Sequence, residues 1–193
     1  MEYSWGMALG LAVEYTWVVF AIYWLASAMK VKRSKQRESR AAFWLRTGLL
    51  VLIFEFCFSP WGRIGWLGAR FLPRTLAVVA IGLAIEILGI ALAIWARYCL
   101  GANWSGAVTL KEGHTLISAG PYKRIRHPIY TGLALAFAGT AIAVGEWRAV
   151  LAFAAIFIAH FIKARKEEAW LEREFGAEFE VHRAHTGMFL PKF

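Results

Sequence analysis

Residues 120 to 132 read Gly-Pro-Tyr-Lys-Arg-Ile-Arg-His-Pro-Ile-Tyr-Thr-Gly and stand at the mouth of an apolar run. A second polar patch, Lys163-Ala-Arg-Lys-Glu-Glu168, closes the next apolar run. Histidine, arginine, tyrosine and glutamate are thus gathered at one end of two short apolar stretches. Polar chemistry of that kind beside hydrocarbon marks a place that binds something polar at a membrane edge. His127 precedes Pro128, which holds it in an extended conformation just before a helix. The free N–H groups of the first turn, with Arg126 and His127, make a site friendly to anions. Taken alone, such cations also suit lipid phosphates; Tyr122 and Tyr130 at this spacing argue for a ligand. Glu167 lies four residues after Lys163, so both share a helix face. An isolated pair of this kind reads as a surface ion pair. Here it faces back toward the His127 loop, where a carboxylate can hold an ammonium or ribose hydroxyls.

These residues need apolar elements to carry them, and the composition supplies those. The chain has 193 residues, is 59% hydrophobic and holds ten tryptophans, with a mean hydropathy of +0.50. A soluble domain is nearer half apolar. Five apolar spans are expected: Trp5 to Met29, Ala41 to Ser59, Thr75 to Tyr98, Ile129 to Val144 and Trp147 to Ile162. Each is near the roughly 20 residues a bilayer requires, the last two being short. Gly145-Glu146 separates those two, which implies a tight helical hairpin. The fold class is therefore an all-α integral membrane protein, one domain over 1–193, with three spans in 1–99 and the polar motifs in 100–193.

The formal charge is +9. Basic residues cluster in 30–46 and 97–128, which places those loops and the C-terminus in the cytosol and the N-terminus outside. The membrane is the cell inner membrane or the endoplasmic reticulum. The charge suits anionic membrane lipids; the apolar runs exclude a nucleic-acid partner. Cys57 and Cys99 lie in or beside apolar segments, so a disulfide framework is not expected. The N-terminus lacks a basic n-region and does not read as a cleaved signal peptide. Val108 to Ile117 alternates around a glycine-containing turn, the pattern of a small β-hairpin. Glu167 to about His182 reads as an amphipathic helix with Gly176 as its weak point, followed by an extended tail. Gly132, Ala136 and Gly139 give the fourth span a small-residue packing face. Glu14, Glu55 and Glu86 lie within spans and are functional candidates by default. Hydrogen bonding to Trp, Tyr or Ser, or a protonated state, is the preferred reading of all three. Gly62-Arg-Ile-Gly-Trp-Leu-Gly has the wrong spacing for a dinucleotide fingerprint.

The ordered set Asn103-Trp-Ser, Gly113-His-Thr-Leu-Ile, Gly120-Pro-Tyr, Arg126-His-Pro-Ile-Tyr, Lys163-Ala-Arg-Lys-Glu-Glu and Phe175-Gly176 resembles the isoprenylcysteine carboxyl methyltransferase family. That family belongs to a wider group with membrane phospholipid methyltransferases. The resemblance covers roughly residues 100 to 193; before that only hydropathy matches. It implies use of S-adenosylmethionine. By resemblance, His114, Thr115, Leu116, Ile117, Tyr122, His127, Pro128, Ile129, Tyr130 and Glu167 line the cofactor pocket. A family arginine linked to the acceptor corresponds to Lys163, and lysine lacks the planar fork that clamps a carboxylate. Either Arg165 takes over or the acceptor differs. No metal site is expected.

Methyl transfer from a sulfonium is an in-line displacement, so alignment supplies much of the rate. A carboxylate acceptor is already ionised near neutral pH. An amine acceptor needs a base; the chain has no aspartate, leaving Glu168 or His127. The reading is carboxyl methylation of a prenylcysteine-like lipid or prenylated protein, with Lys163, Arg165 and Glu168 as the residues acting on the acceptor. The alternatives are phospholipid N-methylation, a nicotinamide-dependent membrane reductase, or a non-catalytic lipid-binding protein.

Overall fold

A computed structural model describes residues 2–28, 40–101 and 116–192. Six α-helices account for most of them: α1 Glu2–Ala28, α2 Arg40–Phe58, α3 Leu76–Leu100, α4 Pro128–Val144, α5 Trp147–Phe175 and α6 Ala177–His185. Among the described residues there is no strand; two isolated bridges join Arg70 to Glu146 and Ile125 to Gly187. The expected β-hairpin and the 30–39 basic segment lie largely outside the described residues.

Among the described residues three helices are long and apolar enough to cross a membrane, over Ala8–Ser27, Leu76–Leu100 and Trp147–Phe175. The apolar part of α2, Thr47–Phe58, and α4, Pro128–Val144, are shorter. Large apolar side chains such as Val19, Leu25, Ile81, Leu88 and Ile158 stand exposed on these helices. Water would not support such faces; lipid does. The protein is an integral membrane protein.

Helix ends fall where the local chemistry sets them. Thr75 caps α3 by accepting from the Val78 N–H at 3.3 Å. Pro128 occupies the first turn of α4, where its missing N–H costs nothing. Gly145 ends α4 in the left-handed conformation, its N–H bonded to the Ala141 carbonyl. The next helix starts two residues later. The last apolar run and the amphipathic segment were expected as separate helices, but they are one. Nothing between Ile162 and Phe175 breaks a helix, and Lys, Ala, Arg and Glu are good formers. Charge ends a bilayer span without ending the helix. The break comes at Gly176, at a positive φ of 48°, and α6 runs on to His185 rather than His182.

α3 and α4 form the closest pair. A Cβ placed on Gly82 would meet the Ala143 nitrogen at 2.5 Å, and one on Gly89 the Ala136 nitrogen at 2.3 Å. From the other side, Gly132 and Gly139 press on Ala93 and Glu86. The helices run antiparallel with backbones in direct contact, so the small face of α4 meets a matching one on α3. The largest buried cluster, Trp17, Phe20, Ile90, Ala93, Ala136, Phe137 and Ile156, joins α1 and α5 to that pair. Glu86 lies at this seam, fully buried. Thr140 approaches it at 2.9 Å, Thr16 also contacts it, and Trp17 donates to the Thr140 hydroxyl at 3.0 Å. This hydroxyl cage matches the structural reading of Glu86, with threonines where Trp, Tyr or Ser were expected. Glu55 accepts from Ser59 at 2.8 Å, and Glu14 is exposed.

Candidate functional site

The start of α4 and the polar end of α5 meet. His127 is buried just before α4, stacked on Tyr130 at 5.5 Å with rings 7° from parallel. From α5, Glu167 accepts the Tyr130 hydroxyl through both oxygens at 2.8 and 2.9 Å. His127 Nδ1 lies 3.7 Å from Glu167, and Nε2 lies 3.2 Å from buried Glu168. Lys163 Nζ sits 3.8 Å from Glu167 and 5.3 Å from the Tyr130 ring centre. The two glutamates thus divide the labour. Glu168 faces inward, while Glu167 keeps about a quarter of its side chain exposed, 24%.

Arg126 is the member that sequence reasoning placed wrongly. It was read, with His127, as cationic company for an external anion. Instead its Nε donates to Glu168 at 2.6 Å, and Nη1 bonds the Thr186 carbonyl. Arg126 and His127 therefore both already face an internal carboxylate. The tail completes the arrangement. The Arg126 N–H donates to the Gly187 carbonyl at 2.8 Å, His127 N–H to Met188 at 3.1 Å, and Gly187 N–H to Arg124 at 3.0 Å. Thr131 donates to the Phe189 carbonyl at 2.8 Å, and Phe189 stands 6.1 Å from His127 and 5.7 Å from Phe157. The extended tail is thus paired to the His127 loop. Its backbone contacts left no signal in residue type.

Tyr122 lies beneath this loop, buried with Ala96 and Ile129; Leu100 and Ile117 pack against them. Burial, helped by the nearby Glu167 charge, pushes its phenol well above the ordinary value of 10, so it remains neutral. Gly120 turns the chain at φ 57° against Cys99, where a Cβ would meet the sulfur at 2.6 Å. Pro128 and Ile129 are buried behind His127, and Leu116 is half-buried. His114 and Thr115 lie outside the described residues. Arg165 is exposed, whereas Lys163 is half-buried beside Glu167 and Tyr130. The structure therefore brings together Tyr122, His127, Pro128, Ile129, Tyr130, Lys163, Glu167 and Glu168.

A family model described as phospholipid methyltransferase matches residues 77–178. The chain belongs to the phospholipid methyltransferase family. That stretch takes in α3, α4, α5 and the whole His127–Glu168 cluster. Two curated relatives, each named "Probable protein-S-isoprenylcysteine O-methyltransferase", come from Oryza sativa subspecies indica and japonica. Each is 27% identical over 113 residues, covering 56% of this chain and 59% of the relative. The matched region thus spans about three fifths of those relatives. As a member of the phospholipid methyltransferase family, the chain carries its polar cluster at the junction of two helices inside the matched stretch.

Proposed function

We propose that this protein transfers a methyl group from S-adenosylmethionine to a lipophilic acceptor, and that the acceptor group is the carboxylate of a prenylcysteine-like thioether acid. The observation that carries the reading is the cluster of Glu167, Tyr130, His127 and Lys163 where an apolar helix pair turns polar. Its chemistry fits the cofactor. Glu167 is a partly exposed carboxylate suited to an ammonium or to ribose hydroxyls, and the half-buried Tyr130 ring, backed by His127, offers a flat face beside it. When bound, S-adenosylmethionine supplies an electrophilic methyl group on a sulfonium.

The chain's own residues then have separable tasks. Glu167 holds positive charge and is itself held by Tyr130. Glu168 carries donors from both Arg126 and His127, so it suits positioning better than accepting a proton. With Glu168 engaged, His127 held between Glu167 and Glu168 and no aspartate in the chain, an ionised acceptor that needs no base is favoured. Lys163 is the cation nearest Glu167 on the bilayer side and is assigned the acceptor charge; exposed Arg165 is the alternative. In this reading all five apolar helices cross the bilayer, α4 at the lower limit of length. The cluster and the C-terminus then face the cytosol of a cell inner membrane or endoplasmic reticulum, and the acceptor arrives sideways from the lipid.

A second reading, N-methylation of an aminophospholipid, is favoured by the family description and by lysine at the place of the expected arginine. The reductase and lipid-binding readings gain nothing from the matches. A lipid-extract assay with methyl-labelled S-adenosylmethionine and mass spectrometry decides among them. The expected product releases its label as methanol on mild alkali, as a methyl ester does. An alkali-stable label on a phospholipid headgroup would replace the carboxylate by the amine. No binding of labelled S-adenosylmethionine by folded protein would end both.

A further inference from the structure

The end of the bundle farthest from His127 holds a second polar constellation that methyl transfer does not use. α4 separates the two ends by 17 residues, about 25 Å at 1.5 Å per residue. There Glu146 is buried and faces three guanidiniums. Arg148 Nε donates to it at 2.6 Å, Arg63 Nε reaches both oxygens at 3.1 Å, and Arg70 Nη1 lies 3.9 Å away. Arg148 is 2% exposed and also donates to the Phe56 and Ser59 carbonyls at 3.2 and 2.6 Å. It serves the fold. Arg63 and Arg70 keep 55% and 33% of their side chains exposed. Burial lowers the Arg70 pKa; Glu146 opposes that, and Arg74 and Arg63 add to the lowering by repulsion. One carboxylate does not balance this group.

A groove of about 310 Å³ opens beside it between α2 and α5, lined only by apolar residues, among them Leu52, Phe56, Trp61, Leu151 and Ala155. Phe56 belongs to both features. Its carbonyl takes the Arg148 hydrogen bond, and its ring walls the groove 5.7 Å from Trp61. Trp61, Trp66 and Trp147 are exposed around the same end. Tryptophans so placed sit at the headgroup level of a bilayer. A cationic surplus at that level, joined to an apolar groove running inward, matches a molecule with an anionic head and a hydrocarbon chain. A second copy of this chain could cover the groove but would not by that supply an anion.

We propose that this end of the bundle binds one anionic phospholipid, its phosphate on Arg63 and Arg70 and an acyl chain in the groove between α2 and α5. The proposal rests on the helices spanning a membrane and is independent of methyl transfer.

The test uses the full chain, delipidated in a neutral detergent, with native mass spectrometry and thermal unfolding. The probes are phosphatidylglycerol, phosphatidylcholine and glycerol phosphate. Phosphatidylglycerol is expected to survive detergent release as a one-to-one adduct and to raise Tm by several degrees more than phosphatidylcholine. Glycerol phosphate at equal concentration is expected to leave Tm unchanged. Ala155→Phe fills the groove from an exposed position, and Arg63→Gln removes the outermost cation; each should abolish the phosphatidylglycerol preference, and Arg63→Lys should keep most of it. Equal shifts from both lipids, a full shift from glycerol phosphate alone, or a lipid-free dimer that shuts out lipid would overturn the proposal. Should Arg63→Gln unfold, Ala155→Phe with unchanged lipid preference would still overturn it.

Discussion

In the proposed function, Lys163 is the residue that meets the acceptor. It stands on the helix face of Glu167 and over the Tyr130 ring, while Arg165, two residues on, is exposed. Two residues on a helix turn the face by about 200°, and α5 stays regular through this region, so Arg165 reaches the site only by bending its long side chain round the membrane edge. Lys163→Met is expected to raise KM or lower kcat on a prenylcysteine-like acid, with Lys163→Arg equal to or better than wild type and Arg165→Met mild. Full activity in both Met variants would show that neither cation holds the acceptor. Glu167→Gln is expected to abolish most turnover with an unchanged unfolding midpoint. An exposed i,i+4 pair would cost only about 0.3–0.5 kcal/mol and leave turnover intact. That His127, Tyr130, Lys163 and Glu167 stand together was legible because the two motifs end neighbouring apolar runs. The role of Arg126 was not: a guanidinium beside a histidine looks the same in sequence whether its partner is a ligand or Glu168. Nor did the sequence point to the tail, whose bonds to residues 124–127 come from backbone groups that any residues carry.

At the scale of elements, backbone contact between α3 and α4 is the arrangement that a single atom can break. Gly89→Val would drive a side chain into the Ala136 backbone, and overpacking of that kind costs about 1–3 kcal/mol. A lower unfolding midpoint in detergent, with a similar loss for Gly82→Val and little for exposed Gly48→Ala, is the expected pattern. The small face of α4 could be read from its sequence, whereas Gly82 and Gly89 were passed over, although their seven-residue spacing puts them on one face. The seam of α5 was misread because a change from apolar to charged residues marks the bilayer boundary and not a helix end. The α4–α5 turn carries its own dependence on pH. Burial alone would raise the Glu146 carboxyl, but hydrogen bonds and charge from Arg63 and Arg148 win and hold it below its ordinary 4.5. Its contribution is therefore complete above that value and lost as pH falls through the folded one. Acid unfolding followed at constant ionic strength should show Glu146→Gln losing less stability than wild type below pH 4.5.

The whole molecule is polarised. One end gathers His127, Glu167, Glu168 and the paired tail; the other gathers Glu146, its arginines and the exposed tryptophans. In the proposed orientation, which rests on charge counting in the loops, residues 30–39 and 102–115 included, the first end faces the cytosol. Span number and orientation are linked, because an odd count puts the two termini on opposite faces and an even count puts them together. Three long helices satisfy the length rule outright, and α2 and α4 do so only if bilayer and helix adjust to each other. A thiol-labelling scan in intact cells separates these cases. Lys35→Cys, between α1 and α2, and His185→Cys, at the end of α6, are both expected to resist a membrane-impermeant reagent until the cells are opened. A cysteine at exposed Ile64, between α2 and α3, is expected to react at once. Reaction of residues 64 and 185 from outside, with 35 still protected, would mean that one of α3, α4 and α5 fails to cross, and α4 is the shortest of them. Reaction of both 35 and 185, with 64 protected, would invert the protein and place the Glu167 site away from cytosolic S-adenosylmethionine, so that the topology experiment also bears on the chemistry.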